Sequence, residues 1–171
     1  MPTSILIGYA TQYGSTKEIA EKIAEVLGER GFAVTIQPLK EVRSLVGFEA
    51  VVLGAALYMY RWHKDAHRFL SKHRKDLIGR PVAVFALGPV KDPHDEQEWQ
   101  NSRAQLEKEL AKYPWLKPVA VEMFGGRFDP ALLRFPLNKF AASEPASDIR
   151  DWEIIQAWAG ELAEKFISTG E

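Results

Sequence analysis

The fold of this chain is decided by the stretch ILIGYATQYGST, residues 5–16. Its first half is an apolar run that predicts a buried strand, and apolar positions recur at helical spacing from Thr16 to Arg30. Between strand and helix lie three hydroxyl side chains and Gly14, which can adopt positive φ. Such a loop can hold an anion, because backbone N–H groups and the helix dipole both favour negative charge at a helix N-terminus.

Outward from this stretch, apolar runs alternate with segments in which apolar residues recur at helical spacing. Strands are predicted at 5–9, 32–37, 50–54, 82–86 and 118–124, and helices at 16–30, 66–77, 93–111 and 152–167. Continuous apolar strands suit a parallel sheet that is covered on both faces. We therefore predict an α/β fold of one domain, with a doubly wound sheet of five strands in the order 2-1-3-4-5.

Polar residues mark the ends of two predicted helices and one long insertion. Asp92 is the expected N-cap of the third helix, with Pro93 at its first position, and Asp148 or Asp151 is expected to cap the last helix. Residues 125–150 form an insertion before that last helix. The insertion is apolar with interspersed cations, which fits either a lid over a ligand or an ordinary packed excursion.

The composition of the chain argues against several classes of function. The 22 basic and 23 acidic residues leave a net charge of −1, without the basic excess of a nucleic-acid binder. The chain contains no cysteine, so redox chemistry requires a bound cofactor. The N-terminus lacks the features of a signal peptide, and no apolar run approaches the ~20 residues of a membrane span. We expect a cytoplasmic protein.

The loop after the first strand is the main candidate site. Its residues are Thr11, Gln12, Tyr13, Gly14, Ser15 and Thr16. Their spacing gives neither the dinucleotide fingerprint G-x-G-x-x-G nor the P-loop G-x-x-x-x-G-K-[ST]. The alternative to a phosphate site is that Thr16 is only the N-cap of the helix, with Gln12 and Tyr13 in a turn.

Residues 11–16 resemble the phosphate loop T-x-[ST]-G-x-T of the flavodoxin family, although Tyr13 departs from the pattern at its third place. The resemblance extends over almost the whole chain. It is most similar to the menaquinone-dependent protoporphyrinogen oxidase branch, on residues 51–58, 63–69 and 151–153. This resemblance implies a flavodoxin-like fold, one FMN cofactor, and a redox partner protein or a quinone.

Two further loops are expected to hold the flavin. The first supplies apolar and aromatic walls for a flat ring from Ala55, Ala56, Leu57, Tyr58, Met59 and Tyr60. The second, which forms the other side of the site in the family, consists of Leu87, Gly88, Pro89 and Val90. Gly88 would allow close approach, and an aromatic on this side would require Trp99 to fold back. The aromatics of the first loop could instead simply cap the sheet end.

Arg61 and His63 are the candidate catalytic residues. A cation near the reduced flavin lowers the energy of its anionic form, so Arg61 predicts a less negative potential than that of an acidic carrier. His63 lies nearest the flavin loop and could donate a proton or touch substrate. His63 and His67 have metal-pair spacing, but no third ligand follows a known pattern. We expect a solvated helix face there and no metal.

Three functional hypotheses follow. The first is an FMN-dependent oxidoreductase that acts on protoporphyrinogen with a quinone acceptor and whose insertion touches the inner face of a membrane. The second is a flavodoxin-type electron carrier without a small-molecule substrate. The third is a flavodoxin-fold module that does not bind FMN.

Overall fold

Strands and helices alternate along the chain as the apolar pattern predicts. The structure is a computed structural model that describes residues 3–59, 61–133, 135–141 and 143–169. Its strands are β1 (Ser4–Ala10), β2 (Ala33–Pro38), β3 (Ala50–Tyr58), β4 (Arg61–Trp62), β5 (Val82–Leu87), β6 (Ala120–Phe124), β7 (Arg127–Phe128) and β8 (Ser147–Asp148). Its helices are α1 (Ser15–Glu29), α2 (Lys64–Lys72), α3 (Arg74–Ile78), α4 (Glu96–Ala111), α5 (Leu137–Phe140) and α6 (Trp152–Thr169), with 3₁₀ turns at Leu39–Glu41 and Pro130–Leu132.

The central sheet has the order β2-β1-β3-β5-β6, and neighbouring strands on this path are parallel. Numbering these five strands along the chain gives 2-1-3-4-5, so the predicted doubly wound sheet is confirmed. The register places Ile7 beside Ile36 on one side and Val52 on the other. Because the chain leaves β1 and β3 in opposite directions across the sheet, a crevice opens at their carboxyl ends.

Alternate residues of the strands pack into two separate clusters of the hydrophobic core. Ile5 and Ile7 pack in a cluster with residues of α1 and α6, whereas Leu6 packs in a second cluster with residues of α2 and α4. Close packing also requires glycine in β3. A Cβ on Gly54 would lie 2.0 Å from the ring of Phe85, which is fully buried.

The third strand is longer than predicted. It continues past Gly54 to Tyr58, and the chain then turns back so that Arg61 and Trp62 pair with it in antiparallel register. The prediction of a loop from Ala55 was therefore wrong. The apolar residues that continue the strand pair with β1 and β5 as far as Ala56, which keeps the backbone extended.

Two helix predictions also need correction. The predicted helix 66–77 is broken at His73 into α2 and α3. Asp92 does not cap α4, because the helix begins three residues after Pro93 and Asp95 accepts hydrogen bonds from the N–H groups of Gln97 and Glu98. For the last helix, Asp151 is confirmed as the cap: its carboxylate accepts from the N–H groups at 153 and 154.

The insertion forms a small structured unit on the sheet's carboxyl end. Its ends pair as the two-stranded ribbon β7–β8, in which Arg127 lies opposite Asp148 and Phe128 opposite Ser147. The segment between them holds one 3₁₀ turn and α5. Across the parts of the chain that the structure describes, no helix is long and apolar enough to cross a membrane.

Candidate functional site

The loop between β1 and α1, together with the first residues of the helix, forms a concave anion site. We call this site, residues 11–16, the anion cup. The Thr11 hydroxyl accepts a hydrogen bond from the Gly14 N–H at 2.8 Å, which closes the loop on itself. Gly14 is the N-cap of α1 and has a φ of +92°, so the positive φ expected there is confirmed. This conformation turns the first N–H groups of α1 toward the cup.

Thr16 is inside the helix rather than at its cap, so the alternative N-cap interpretation was wrong. Its side chain is fully buried, and its Oγ1 makes no hydrogen bond with any residue that the structure describes. A buried hydroxyl without a partner destabilises the fold by ~1–3 kcal/mol. Thr16 lies in the first turn of α1, where the backbone N–H groups also lack intrahelical partners, so a ligand that accepts hydrogen bonds there would satisfy both kinds of donor.

Two arginines that follow the sheet in sequence contact the backbone of the cup and the first turn of α1. Arg127 donates to the Tyr13 carbonyl at 3.2 Å and contacts the Glu18 carboxylate at 3.4 Å. Arg150 also lies 3.4 Å from Glu18, donates to the Ser15 carbonyl and pairs with Asp148 at 2.7 Å. These cations neutralise Glu18, an acid in the first turn of α1 that would otherwise repel an anion in the cup.

The hairpin β3–β4 forms one wall of the crevice. Met59 in its turn has a φ of +49°, an uncommon conformation for a residue other than glycine. Trp62 is buried, and its indole N–H donates to the Ala55 carbonyl at 3.1 Å. Tyr58 and Met59 remain exposed, while Tyr60, which was also predicted to bind the flavin, lies outside the described residues.

The loop after β5 forms the opposite wall, and the insertion is attached to it. The Gly126 N–H donates to the Pro89 carbonyl at 2.7 Å, and the Ser147 hydroxyl donates to the Val90 carbonyl. Gly88 packs closely against α4 and also lines the cavity, so the expectation that it lets a ligand approach stays a prediction. A Cβ there would lie 2.9 Å from the Ser102 Oγ on α4.

These loops enclose one cavity of about 900 Å³. Many of the predicted site residues line it: Thr11, Gln12, Tyr13, Ser15, Ala56, Leu57, Tyr58, Met59, Arg61, His63, Leu87, Gly88 and Val90. The predicted residues Gly14, Thr16, Ala55 and Pro89 are not among the residues that line it. The volume lies at the upper end of the ~300–1,000 Å³ range of small-molecule sites.

Several residues of the cavity wall were not among the predicted site residues. The insertion, for which a lid over a ligand or an ordinary packed excursion was predicted, contributes Gly126, Arg127, Phe128, Asp129, Leu132 and Leu133, which favours the lid. Phe128 supplies an aromatic side chain to the cavity, where the loop 87–90 itself has none. Trp99, the residue suggested for that role, stacks on His94 and Arg103 and does not line the cavity. Basic residues at 40, 64 and 68 were also missed.

His63 is held at the edge of the cavity as the N-cap of α2. Its Nδ1 accepts a hydrogen bond from the Asp65 N–H at 3.1 Å, so the proton of the neutral ring is on Nε2. Burial lowers the pKa of His63; Asp65 opposes this shift, and the charges of Lys64 and Lys40 add to it. The ring is therefore a neutral N–H donor at physiological pH.

The expectation of a solvated histidine face on this helix was wrong. The His67 ring contacts the buried Glu109 carboxylate at 2.6 Å and hydrogen-bonds to the Tyr113 hydroxyl. His73 is buried, and its Nε2 lies 3.3 Å from the Val42 carbonyl. Both rings join α2 to neighbouring elements, so they are structural contacts that the helix spacing alone could not indicate.

Fold and cavity together define a flavodoxin-like α/β protein with an anion cup at its first strand–helix turn. The family model described as "Flavodoxin domain" matches residues 6–138. The chain belongs to this family.

The chain is also similar to particular proteins. Protoporphyrinogen IX dehydrogenase (quinone) of Escherichia coli strain K12 is 25% identical over 175 residues, covering 92% of this chain and 93% of that protein. Flavodoxin 2 of Bacillus cereus shares the fold with a TM-score of 0.59 at 22% identity, covering 96% of this chain and all of that one. A Streptococcus pneumoniae flavodoxin also has a TM-score of 0.59, at 14% identity, over 98% and 99% of the two chains.

Proposed function

We propose that the protein binds one FMN in this cavity and acts as an oxidoreductase through it. The observation that carries the proposal is the hydroxyl of Thr16, which is buried in the first turn of α1 and has no partner among the described residues. A flavin phosphate would supply the missing acceptor. Membership of the flavodoxin family supports the same ligand.

The chain's residues divide into three roles in this proposal. Residues 11–16 bind the phosphate with hydroxyl and backbone donors, while Arg127 and Arg150 hold that loop in shape. The hairpin β3–β4 and the loop 87–90 bind the two sides of the ring. The insertion, through Phe128 and Leu133, excludes water from the cavity. FMN, when bound, supplies the transfer of one or two electrons.

The charge of the cavity favours an oxidoreductase over a low-potential carrier. Five cations line it, against two acids, Asp65 and Asp129. Cations beside the ring stabilise the negative charge that reduction adds, and this raises the reduction potential. The 25% identity to a quinone-dependent protoporphyrinogen dehydrogenase supports a quinone as acceptor and a porphyrinogen as donor.

The insertion also carries an apolar surface suited to a membrane that holds such a quinone. Phe135 and Phe140 are 72% and 79% exposed, and Lys139 lies 5.5 Å from the Phe135 ring. Aromatics flanked by a cation bind the headgroup boundary of a bilayer. We expect the protein to sediment with anionic vesicles, and F135S/F140S to abolish that sedimentation without changing FMN binding.

Two measurements test the proposed function. Titration of flavin-free protein should show binding of one FMN per chain and much weaker binding of riboflavin, which lacks the phosphate. Anaerobic assays with a reduced porphyrinogen and menadione should then show coupled turnover, with two electrons and two protons passing to each quinone. Tight FMN binding without turnover would indicate a carrier instead, and no FMN binding would overturn the proposal.

A further inference from the structure

Four cations of the cavity wall come from β4, α2 and the 3₁₀ turn at Leu39–Glu41. Lys64 and Arg68 lie one turn apart on α2, and Lys40 lies in the 3₁₀ turn that packs against this helix. Arg61 precedes them in β4. All four side chains are exposed and line the cavity, and none forms an ion pair with a residue of the described chain.

This cluster is separate from the groups assigned to the flavin phosphate. The phosphate loop has its own donors, and Arg127 is already held there by Glu18 and the Tyr13 carbonyl. Five Lys or Arg side chains and two Asp side chains line the cavity, a formal charge of +3 in a chain whose net charge is −1. A bound phosphate monoester adds a charge of about −2. The cavity would therefore remain positive.

His63 gives independent evidence that the cations face a common space. His63 lines the same cavity as the cations and is the N-cap that directly precedes Lys64 at the start of α2. Its Nδ1 is occupied by the Asp65 N–H, so the Nε2–H is the donor available to a ligand. The site thus combines point charges with a directed hydrogen-bond donor, a pairing suited to a carboxylate, sulfonate or phosphate oxygen.

We propose that Lys40, Lys64 and Arg68, with His63, bind the acidic group of a small-molecule redox substrate whose ring rests against the flavin. This inference depends on the proposed function. The ligand class follows from the wall itself, because the cations adjoin the apolar Leu57 and Trp62. An aromatic or quinoid ring that bears an acidic group matches both surfaces.

The first test measures binding without turnover. Naphthalene-2,6-disulfonate, which is anionic and redox-inert, is titrated calorimetrically into the FMN-loaded protein. K64E/R68E should weaken its binding by about tenfold or more, and K64Q/R68Q by less. The matched control is K72E/K75E, which changes exposed residues on α2 and α3 by the same total charge and should alter affinity less than about twofold.

The second test measures electron transfer to two quinones. The reduced FMN protein is mixed anaerobically with anthraquinone-2,6-disulfonate or with uncharged menadione, each of which takes two electrons and two protons to become the quinol. K64E/R68E should raise the half-saturating concentration of the disulfonate selectively. Equal losses in the mutant and control pairs, or no loss in either, would overturn the proposal.

The outcomes separate this inference from the proposed function. FMN titration of each variant reports on the phosphate loop, and unchanged FMN binding with lost disulfonate binding supports the cation site alone. If FMN fails to bind even to the unaltered chain, the proposed function fails instead. If the disulfonate does not discriminate but reduction by an acidic ferredoxin depends on Lys64 and Arg68, the cations form a protein-docking surface and the small-molecule site is refuted.

Discussion

Replacing the hydroxyl of Thr16 should move two measured quantities in opposite directions. Thr16→Val keeps the branched shape of the side chain but removes Oγ1, which is buried without a partner among the described residues. An unpaired buried hydroxyl costs ~1–3 kcal/mol. We therefore expect flavin-free Thr16→Val to gain about 1 kcal/mol in unfolding free energy, or about 2–4 °C in Tm for a chain of this size.

The same substitution should weaken FMN binding. A hydrogen bond to a charged group contributes about 1.5–3 kcal/mol, so losing it should raise the Kd by roughly 10- to 150-fold. The Kd is measured from the quenching of flavin fluorescence as FMN is titrated into flavin-free protein. Stability is measured by thermal unfolding of the same preparation.

Two other threonines serve as controls. Thr35→Val lies on the exposed side of β2 and should leave both quantities nearly unchanged. Thr11→Val removes the acceptor of the Gly14 N–H, so it should lower stability and FMN affinity together. The reasoning about Thr16 would be refuted if Thr16→Val lowered the stability of the flavin-free protein and left the Kd for FMN unchanged.

Four further substitutions test other parts of the account. Gly54→Ala places a Cβ 2.0 Å from Phe85 and should cost about 3 kcal/mol or more in urea unfolding; a loss below about 1 kcal/mol would contradict the packing. Asp151→Ala should cost about 1 kcal/mol and Asp151→Asn much less, because only alanine removes the cap of α6. Burial lowers the pKa of His73, so stability should be full above about pH 6.5 and fall as the pH drops below it; His73→Gln should flatten that dependence, and an unchanged slope would exclude His73 as its source. Arg127→Ala should weaken FMN binding severalfold in a titration and leave menadione reduction at saturating FMN intact, whereas unchanged affinity would show that the loop holds its shape unaided.

Local sequence was sufficient for the sheet and the first loop. The strand β1 and the N-cap Gly14 are determined by neighbours within a few residues, through an apolar run and a residue that tolerates positive φ. The cap of α4 shows where local signals compete. Asp92-Pro93 and Asp95 both suit an N-cap. Asp95 is the cap, and a helix that begins there places the Glu98 carboxylate where it accepts hydrogen bonds from the N–H groups of the preceding loop.

The rest of the site depends on contacts between distant parts of the chain. The bond from Arg127 to the Tyr13 carbonyl joins residues 114 positions apart, and no local pattern encodes it. The contact of His67 with Glu109 arises in the same way, from tertiary packing. Basic residues on an exposed helix, such as Lys64, have an ordinary sequence pattern. Only the fold places them beside a cavity.

The central claim is that the cup opening α1 holds the phosphate of FMN. A crystal structure of the protein grown with excess FMN tests it most directly. We predict a phosphate oxygen at about 2.6–3.2 Å from the Oγ1 of Thr16, with the ring between Tyr58 and the loop 87–90. An empty cup, or a flavin whose phosphate lies among Lys40, Lys64 and Arg68, would contradict the account.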